Sequence, residues 1–209
     1  MRDISMERVN KTREAILETI KNPTMTHEQK VCATSGLADS LLEVLNKVPI
    51  KKGNTFFITS GTVHAICKGA LIAEIQQNSD ITYRVYDYGR VGKDGKQREL
   101  HIDKAIDVSV LNEPKEYLSK VVEENESFKK ILLSKCEFFE TYKIELKKEI
   151  KLRANSLSFN FILCLEGEAL ISSNTDTLKI SKGDSIFIPA NFGEYTIKGE
   201  CEFIFTVIP

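Results

Sequence analysis

The chain holds few histidines and cysteines, the side chains that most often bind zinc. Its three histidines are His27, His64 and His101, and its five cysteines include no CxxC pair that would indicate a cysteine-rich zinc site. A lone imidazole can be one metal ligand, but a protein zinc site needs at least three ligands. Arg90 and Arg98 flank a glycine-rich turn and are expected to be solvated, although either guanidinium could bind a phosphate. Metal or anion chemistry therefore depends on what the fold brings to these groups.

Composition and charge exclude several classes of protein. The 209 residues carry 29 Lys and Arg against 30 Asp and Glu, so the basic surface of a nucleic-acid binder is not expected. No apolar run approaches the roughly 20 residues of a membrane-spanning helix. The N-terminal segment lacks the apolar core of a secretory signal. The sequence predicts a globular cytoplasmic protein with reduced cysteines and with no nucleic-acid or membrane partner.

The first part of the chain predicts two helices and then strands. Apolar residues recur at near-helical spacing over 6–21 and over 37–48, and a proline follows each segment. From residue 49, short runs rich in Phe, Ile, Thr, Val and Tyr alternate with Gly, Asn and Asp, which is typical of strands joined by turns. The predicted strands are 55–59, 70–77 and 82–88. Alternation along the last of them places Arg84 and Asp87 on opposite faces.

The second half of the chain predicts an antiparallel barrel. Seven short strands in about 75 residues suit such a fold. They are 136–145, 158–165, 168–172, 177–180, 185–188, 194–197 and 202–208. The predicted domains are a helical segment (1–48), a partial barrel (49–111), a charged linker of weak structure (112–134) and a second barrel (135–209).

A heptad in the second half repeats one in the first half. The sequence KGNTFFI at 52–58 returns as KGDSIFI at 182–188, an offset of 130 residues, and this predicts two copies of one small β unit. In each copy a tight Lys-Gly-Asn/Asp turn leads into a strand. The second copy has Glu194 at the position that His64 occupies in the first, and no histidine follows residue 101. We therefore expect the second barrel to hold no imidazole-based metal site.

The segment from Gly53 to His64, GNTFFITSGTVH, resembles the second conserved motif of the cupins. That motif is a glycine, five residues that usually end in proline, a second glycine and then a metal-binding histidine; Thr59 stands here in place of the proline. In cupins it points the imidazole into the mouth of a jelly-roll barrel, where a divalent metal can bind the neutral ring. The resemblance implies a mainly β, double-cupin fold whose first barrel is incomplete.

The longer run from His64 to Arg90 resembles class I mannose-6-phosphate isomerase in its short bacterial form. The likeness is close over 40–104 and continues in pattern to the C-terminus. It implies a zinc-dependent aldose–ketose isomerase that interconverts mannose 6-phosphate and fructose 6-phosphate.

The same resemblance implies roles for four residues. His64 matches the family's last zinc ligand, Arg84 matches the catalytic arginine that faces the substrate, and Glu74 and Asp80 match acidic residues of the substrate pocket. An enediol route needs a base, a proton relay and a positive centre, and zinc with a guanidinium beside it supplies the last. Plainer alternatives remain, because Arg84 could pair with Asp80 or Asp87, and Glu74 could lie at a barrel rim.

The resemblance also leaves a gap. The family's other zinc ligands are a glutamine, a histidine and a glutamate that precede its helical insertion, and His27 is a poor substitute for them. The chain thus resembles the C-terminal two thirds of such an enzyme, and we expect it to be inactive alone. The missing strands would leave unpaired edges on the first barrel, which favour self-association. Either an N-terminal companion supplies the rest, or the sequence is an incomplete product. Three hypotheses remain: an isomerase-family protein, a metal-free sugar-binding cupin module, and a non-catalytic fragment that pairs with another chain.

Overall fold

The structure is a computed structural model that describes residues 14, 15, 18, 22–26, 29, 46–87, 91–110 and 118–209. Glu14, Ala15 and Glu18 are helical, within the helix predicted over 6–21. The rest of that helix, most of the one predicted over 37–48, and His27 lie outside the described residues. Two compact units are present. Unit 1 comprises 1–54, 60–63 and 81–111. Unit 2 comprises 55–59, 64–80 and 112–209, and it contains all the strands of the described residues.

Unit 2 is built from eight strands that pair antiparallel throughout. They are β1 (Lys120–Glu124), β2 (Phe128–Lys135), β3 (Glu140–Leu146), β4 (Glu149–Ala154), β5 (Asn160–Ser172), β6 (Thr177–Ser181), β7 (Ser185–Ile188) and β8 (Gly193–Val207).

The longest strands, β5 and β8, pair along almost their whole length, from Phe161 opposite Thr206 to Ser172 opposite Thr196. At one end of this pair, β8 also pairs with β3 and β5 also pairs with β7. At the other end, β8 pairs with β4 and β5 with β6. The two long strands therefore belong to both halves of the sheet. Strands β2 and β1 extend the first half beyond β3.

The core of unit 2 lies between these two halves. Its largest fully buried side chains come from β3, β5, β6 and β8, and they are Phe203, Ile144, Ile162, Ile180, Ile197 and Cys164. Burial alternates along β4 and along the first five residues of β5, because successive side chains of a strand point to opposite faces. This confirms the mainly β antiparallel fold that the second half of the sequence predicts.

The structure corrects the number and length of these strands. The two strands predicted over 158–172 are one strand, β5, which turns at Gly167 (φ +76°). Strand β4 and the two strands β1 and β2 went unpredicted, and β1 and most of β2 lie in the segment expected to be a linker of weak structure. Their lysines and glutamates face solvent from paired strands, which is why the segment looked like a solvated linker.

Three other strand predictions are wrong. Residues 55–59, 70–77 and 82–87 form no strand, and among residues 46–110 the described part has only an isolated bridge between Val91 and Gln97. Many apolar side chains of these segments are exposed, Leu71 almost completely at 98%. A strand requires a backbone partner as well as a suitable side-chain pattern, and the described residues provide none here.

Unit 1 contains a helix that the sequence analysis missed, α1 (Ile102–Val108), of which Ala105 is buried. Asp103 lies in its first turn, where a negative charge is favourable. The turn predicted around Gly89–Gly95 is present in its described part, where the Gly92 N–H donates to the Lys96 carbonyl oxygen at 2.7 Å. No helix among the described residues is long and apolar enough to cross a membrane.

The repeated heptads begin with the same turn. In unit 1, the Lys51 N–H donates to the Asn54 side chain at 2.7 Å, and the Asn54 N–H returns a bond to the Lys51 carbonyl oxygen at 3.1 Å. In unit 2, Ser181 and Asp184 make the equivalent pair of bonds at 2.8 and 3.0 Å. Only the second copy continues as a strand, because β7 has β5 beside it.

Glu140 on β3 provides a test of this sheet by pH. Lys135 and the Tyr142 hydroxyl, which donates at 2.6 Å, lower the pKa of this carboxyl. A lowered folded-state pKa stabilises the protein above the unfolded-state pKa, and this stabilisation disappears as the pH falls through the folded-state pKa. Glu140→Gln should therefore cost about 1 kcal/mol of unfolding free energy at neutral pH and much less in strong acid.

Urea unfolding, followed by circular dichroism at neutral pH and in strong acid, measures this loss of unfolding free energy. The control is Glu124→Gln, because Glu124 forms an exposed pair with Lys129 at 3.6 Å and its loss should change stability by less than about 0.5 kcal/mol. Equal losses for Glu140→Gln at both pH values would contradict the electrostatic explanation.

Candidate functional site

The second glycine of the cupin-like motif is fixed in unit 1 by the segment that follows α1. The Gly61 carbonyl oxygen accepts a hydrogen bond from the Val110 N–H at 2.9 Å. Gly61 has φ +85°, and a Cβ at this position would lie 2.5 Å from the Val108 carbonyl oxygen. The motif thus requires glycine here for both its backbone angle and its close contact.

Three of the predicted site residues, His64, Glu74 and Asp80, lie in unit 2 and are exposed. They do not form a metal site, since the described part of the chain has no group of three His, Cys, Asp or Glu side chains placed to hold a metal ion. The donor set of the described residues therefore does not fit zinc. The roles of all three residues stay predictions.

Arg84 of unit 1 lies in a different setting, because its backbone and its side chain are both held. Its N–H donates to His101 Nδ1 at 3.3 Å, and the His101 N–H donates to the Arg84 carbonyl oxygen at 2.7 Å. Its Nη1 donates to the Glu99 carbonyl oxygen at 3.1 Å. Its Nε lies 3.9 Å from Oδ1 of Asp87. The guanidinium is therefore fixed between the segments on either side of the 92–95 turn.

Asp87 binds a second guanidinium more closely. Arg98 Nε donates to Asp87 Oδ2 at 2.7 Å, and Arg98 Nη2 contacts Oδ1, so that the pair is bidentate. The hydrogen bond to Asp87 raises the pKa of Arg98 further above its usual value. Such parallel pairs are the strongest and most directional contacts between arginine and carboxylate. Asp87 is thus the negative centre between two arginines.

This cluster corrects one expectation and adds to another. Arg84 and Asp87 were placed on opposite faces of a strand, but the chain bends at Val85 and brings their side chains together. Arg98 is exposed, as the sequence predicts, but it also pairs with Asp87, which the sequence does not predict. The plainer reading of Arg84 as a charge paired with a carboxylate is borne out for Asp87. The opposite charges of Asp87 and Arg98 across a glycine turn were the signal that could have predicted the pair.

His101 accepts from the Arg84 N–H through Nδ1, and this places the imidazole proton of a neutral ring on Nε2, 3.8 Å from the Glu99 carboxylate. The ring centroid lies 6.1 Å from that of Tyr83. The residue immediately precedes α1 and packs within unit 1.

In unit 2, Glu194 holds the position that corresponds to His64 in the repeat. Glu194 is exposed on β8, whereas its neighbour Tyr195 is buried and accepts a hydrogen bond from Asn160 Nδ2 at 2.8 Å. Burial raises the pKa of Tyr195 to about 12 and that of the Cys201 thiol to about 12, so both groups remain protonated at neutral pH. The expectation that Glu194 replaces a metal ligand in a metal-free barrel stays a prediction.

Comparison with known proteins identifies the relatives of this chain. The family described as "Mannose-6-phosphate isomerase, cupin domain" matches residues 129–208, which include seven of the eight strands. The chain is related to the mannose-6-phosphate isomerases. Putative mannose-6-phosphate isomerase YvyI of Bacillus subtilis is 36% identical over 163 residues, or 77% of this chain and 51% of that protein.

Further mannose-6-phosphate isomerases agree with this relationship. ManA of Bacillus subtilis is 38% identical over 78% of this chain and 51% of its own length. The crystal structure of the mannose 6-phosphate isomerase from Bacillus subtilis superposes with a TM-score of 0.56 and 34% identity, covering 62% of this chain and 41% of that one. This chain spans about half the length of the curated isomerase relatives it matches.

The motif glycines of this isomerase relative allow a paired test. Gly61→Ala should displace the Val108–Val110 segment, because the added Cβ has no room. The loss of unfolding free energy should exceed the roughly 1 kcal/mol that an unfavourable backbone angle alone costs. Gly53→Ala is the matched control, since its φ of +88° is nearly the same and nothing lies within 4 Å of the added Cβ.

Hydrogen exchange of the Val110 amide, measured by NMR, shows whether its hydrogen bond to the Gly61 carbonyl oxygen is kept in each variant. We expect protection of this amide to be lost in Gly61→Ala and kept in Gly53→Ala. Equal protection in both variants would show that Gly61 is not held by this contact.

Proposed function

We propose that this chain takes part in the interconversion of mannose 6-phosphate and fructose 6-phosphate, with Arg84 as the residue that faces the substrate. The observation that carries the proposal is the held guanidinium of Arg84, within the segment that resembles the isomerase family. The kinship to proteins named mannose-6-phosphate isomerase supports the substrate class.

The reaction moves one hydrogen and needs no oxidant. A base removes the proton at C2 of the open-chain aldose, and the carbonyl oxygen O1 gains a proton to give a cis-enediol. A proton then enters at C1 while O2 loses its proton and becomes the ketose carbonyl. Negative charge develops on O1 and O2 during both steps. A guanidinium fixed before the substrate arrives can stabilise this charge without reorganisation.

Arg84 suits this task because its position is set from two sides. A carboxylate 3.9 Å from Nε and a carbonyl oxygen on Nη1 limit the rotation of the side chain, which is 22% exposed. An arginine also stays charged at any pH at which the protein is folded. Glu74 and Asp80 are proposed to contact the sugar hydroxyl groups.

Zinc enters this proposal through His64. His64 would contribute one ligand, and because the described residues supply no set of three, a companion polypeptide would supply the others. No step of the reaction is assigned to the metal here.

A complementation experiment tests the proposal. The chain is co-expressed with the half of Bacillus subtilis ManA that its match leaves uncovered, and turnover of mannose 6-phosphate and bound zinc are both measured. We expect His64→Ala to lose zinc and turnover together. Arg84→Ala should lower kcat about 100- to 1,000-fold with zinc unchanged, because it removes one oxyanion-stabilising group.

The chain without its companion is the control and should bind no stoichiometric zinc. If Arg84→Ala loses the metal, or turns over at the normal rate, then Arg84 does not have this role. If the companion restores neither zinc nor turnover, the proposal of a shared site is wrong.

The exposed setting of His64 favours a second candidate, a sugar-phosphate binding module that works without metal. Calorimetric titration of the chain with fructose 6-phosphate in the presence of EDTA separates the two. Binding that is unchanged by EDTA, together with no turnover after complementation, would select the binding module. A chain that binds no sugar phosphate in either assay would be the non-catalytic pairing fragment.

A further inference from the structure

The Asp87 carboxylate of unit 1 contacts two guanidinium groups unequally. Arg98 takes both of its oxygens in a bidentate pair, whereas Arg84 approaches only Oδ1, through Nε at 3.9 Å. The side chain of Asp87 is 11% exposed, that of Arg84 is 22% exposed and that of Arg98 is 46% exposed. The carboxylate is thus the most buried of the three charged groups, and Arg98 is the most exposed.

This inequality has a chemical consequence. A carboxylate that paired fully with Arg84 would cancel its charge and compete with an anionic substrate for the guanidinium. Because Arg98 satisfies the carboxylate, Asp87 can orient Arg84 without occupying its hydrogen-bond donors. The only side-chain hydrogen bond that Arg84 makes within the described part of unit 1 is the one from Nη1 to the Glu99 carbonyl oxygen.

Hydrogen bonds of the backbone around the cluster hold these groups in place. The bonds between Arg84 and His101 join the segment before the glycine turn to the residue that precedes α1. Asp87 and Arg98 join the same two segments nearer the turn. The geometry points to Asp87 and Arg98 as positioning residues for Arg84: Arg98 holds the Asp87 carboxylate, which in turn aims the Arg84 guanidinium at a sugar phosphate. This inference rests on the proposed role of Arg84.

The first test reads the position of Arg84 with no ligand present. The Nε–H signal of Arg84 is observed by proton–nitrogen NMR and assigned by its absence in Arg84→Lys. In the unchanged chain we expect slow exchange of this proton with water, because the Asp87 carboxylate, 3.9 Å from Nε, disfavours the approach of the hydroxide ion that catalyses exchange. Asp87→Asn should accelerate the exchange at least about tenfold, because the amide keeps the size of the side chain and removes its charge. An unchanged exchange rate would overturn the proposal.

The second test asks whether Asp87 acts through Arg84. The Kd of the chain for fructose 6-phosphate is measured by calorimetry in a double-mutant cycle. We expect Asp87→Asn to raise the Kd about threefold to tenfold and Arg84→Ala to raise it about tenfold or more. In the double variant the Kd should equal that of Arg84→Ala alone. Effects that multiply would show that Asp87 supports the fold generally, and would overturn the proposal.

Two further variants keep the test decisive if Asp87→Asn lowers stability. Asp87→Glu retains the charge and should restore part of the slow exchange and of the affinity. Arg98→Lys retains the positive charge but loses the bidentate fork, so it should give a smaller effect than Asp87→Asn in both measurements. An exchange rate and a Kd that stay unchanged in Arg98→Lys would show that the fork does not hold the carboxylate in place, and would overturn the positioning role of Arg98.

The two measurements fail in different ways. If the unchanged chain does not bind fructose 6-phosphate, the proposed function is wrong, while the exchange of the Arg84 Nε–H in the ligand-free chain still decides whether Asp87 positions it. If the chain binds fructose 6-phosphate but Arg84 exchanges equally fast with and without the Asp87 charge, only the positioning role is wrong.

Discussion

The pairing of β5 with β8 is the constraint on which unit 2 depends. Each of these strands contributes to both halves of the sheet, so one continuous antiparallel ladder fixes the positions of β3, β4, β6 and β7. The pair can turn between the halves because Gly167 and Gly199 lie at the turn, where each approaches backbone atoms of the opposite strand too closely for a Cβ. The aliphatic and aromatic core follows from this geometry, since alternate residues of both strands face inward.

The described part of unit 1 around residues 84–101 is held by charge and by hydrogen bonds across a turn. The bonded groups come from two segments on either side of this turn, Arg84 and Asp87 from one and Arg98 and His101 from the other. Their bonds join residues 11 to 17 positions apart in the sequence. Such contacts fix a few side chains well but bury little apolar surface. A guanidinium held in this way can interact with an anion without first losing its own freedom of movement.

The relationship to mannose-6-phosphate isomerases rests on the family match in unit 2 and on relatives that match about three quarters of this chain. The family match lies over 129–208, whereas the residues with proposed roles lie earlier in the chain. In that earlier part, Phe56, Ile58, Leu71 and Ile81 are all exposed. Side chains that stay exposed bury little apolar surface, so they contribute little to the stability of this part of the chain.

Sequence alone determined the β texture of 135–209, the repeated Lys-Gly-Asn/Asp turn and the kinship carried by the run from His64 to Arg90. These depend on local preference and on order along the chain. Tertiary structure decided that 158–172 is one strand, that 55–59 forms none, and that Asp87 faces Arg84 and Arg98. A strand forms only beside a partner strand, which a local sequence pattern does not specify. The ion pair between Arg84 and Asp87 depends on a bend in the backbone between them. Both are settled only when distant parts of the chain are in place.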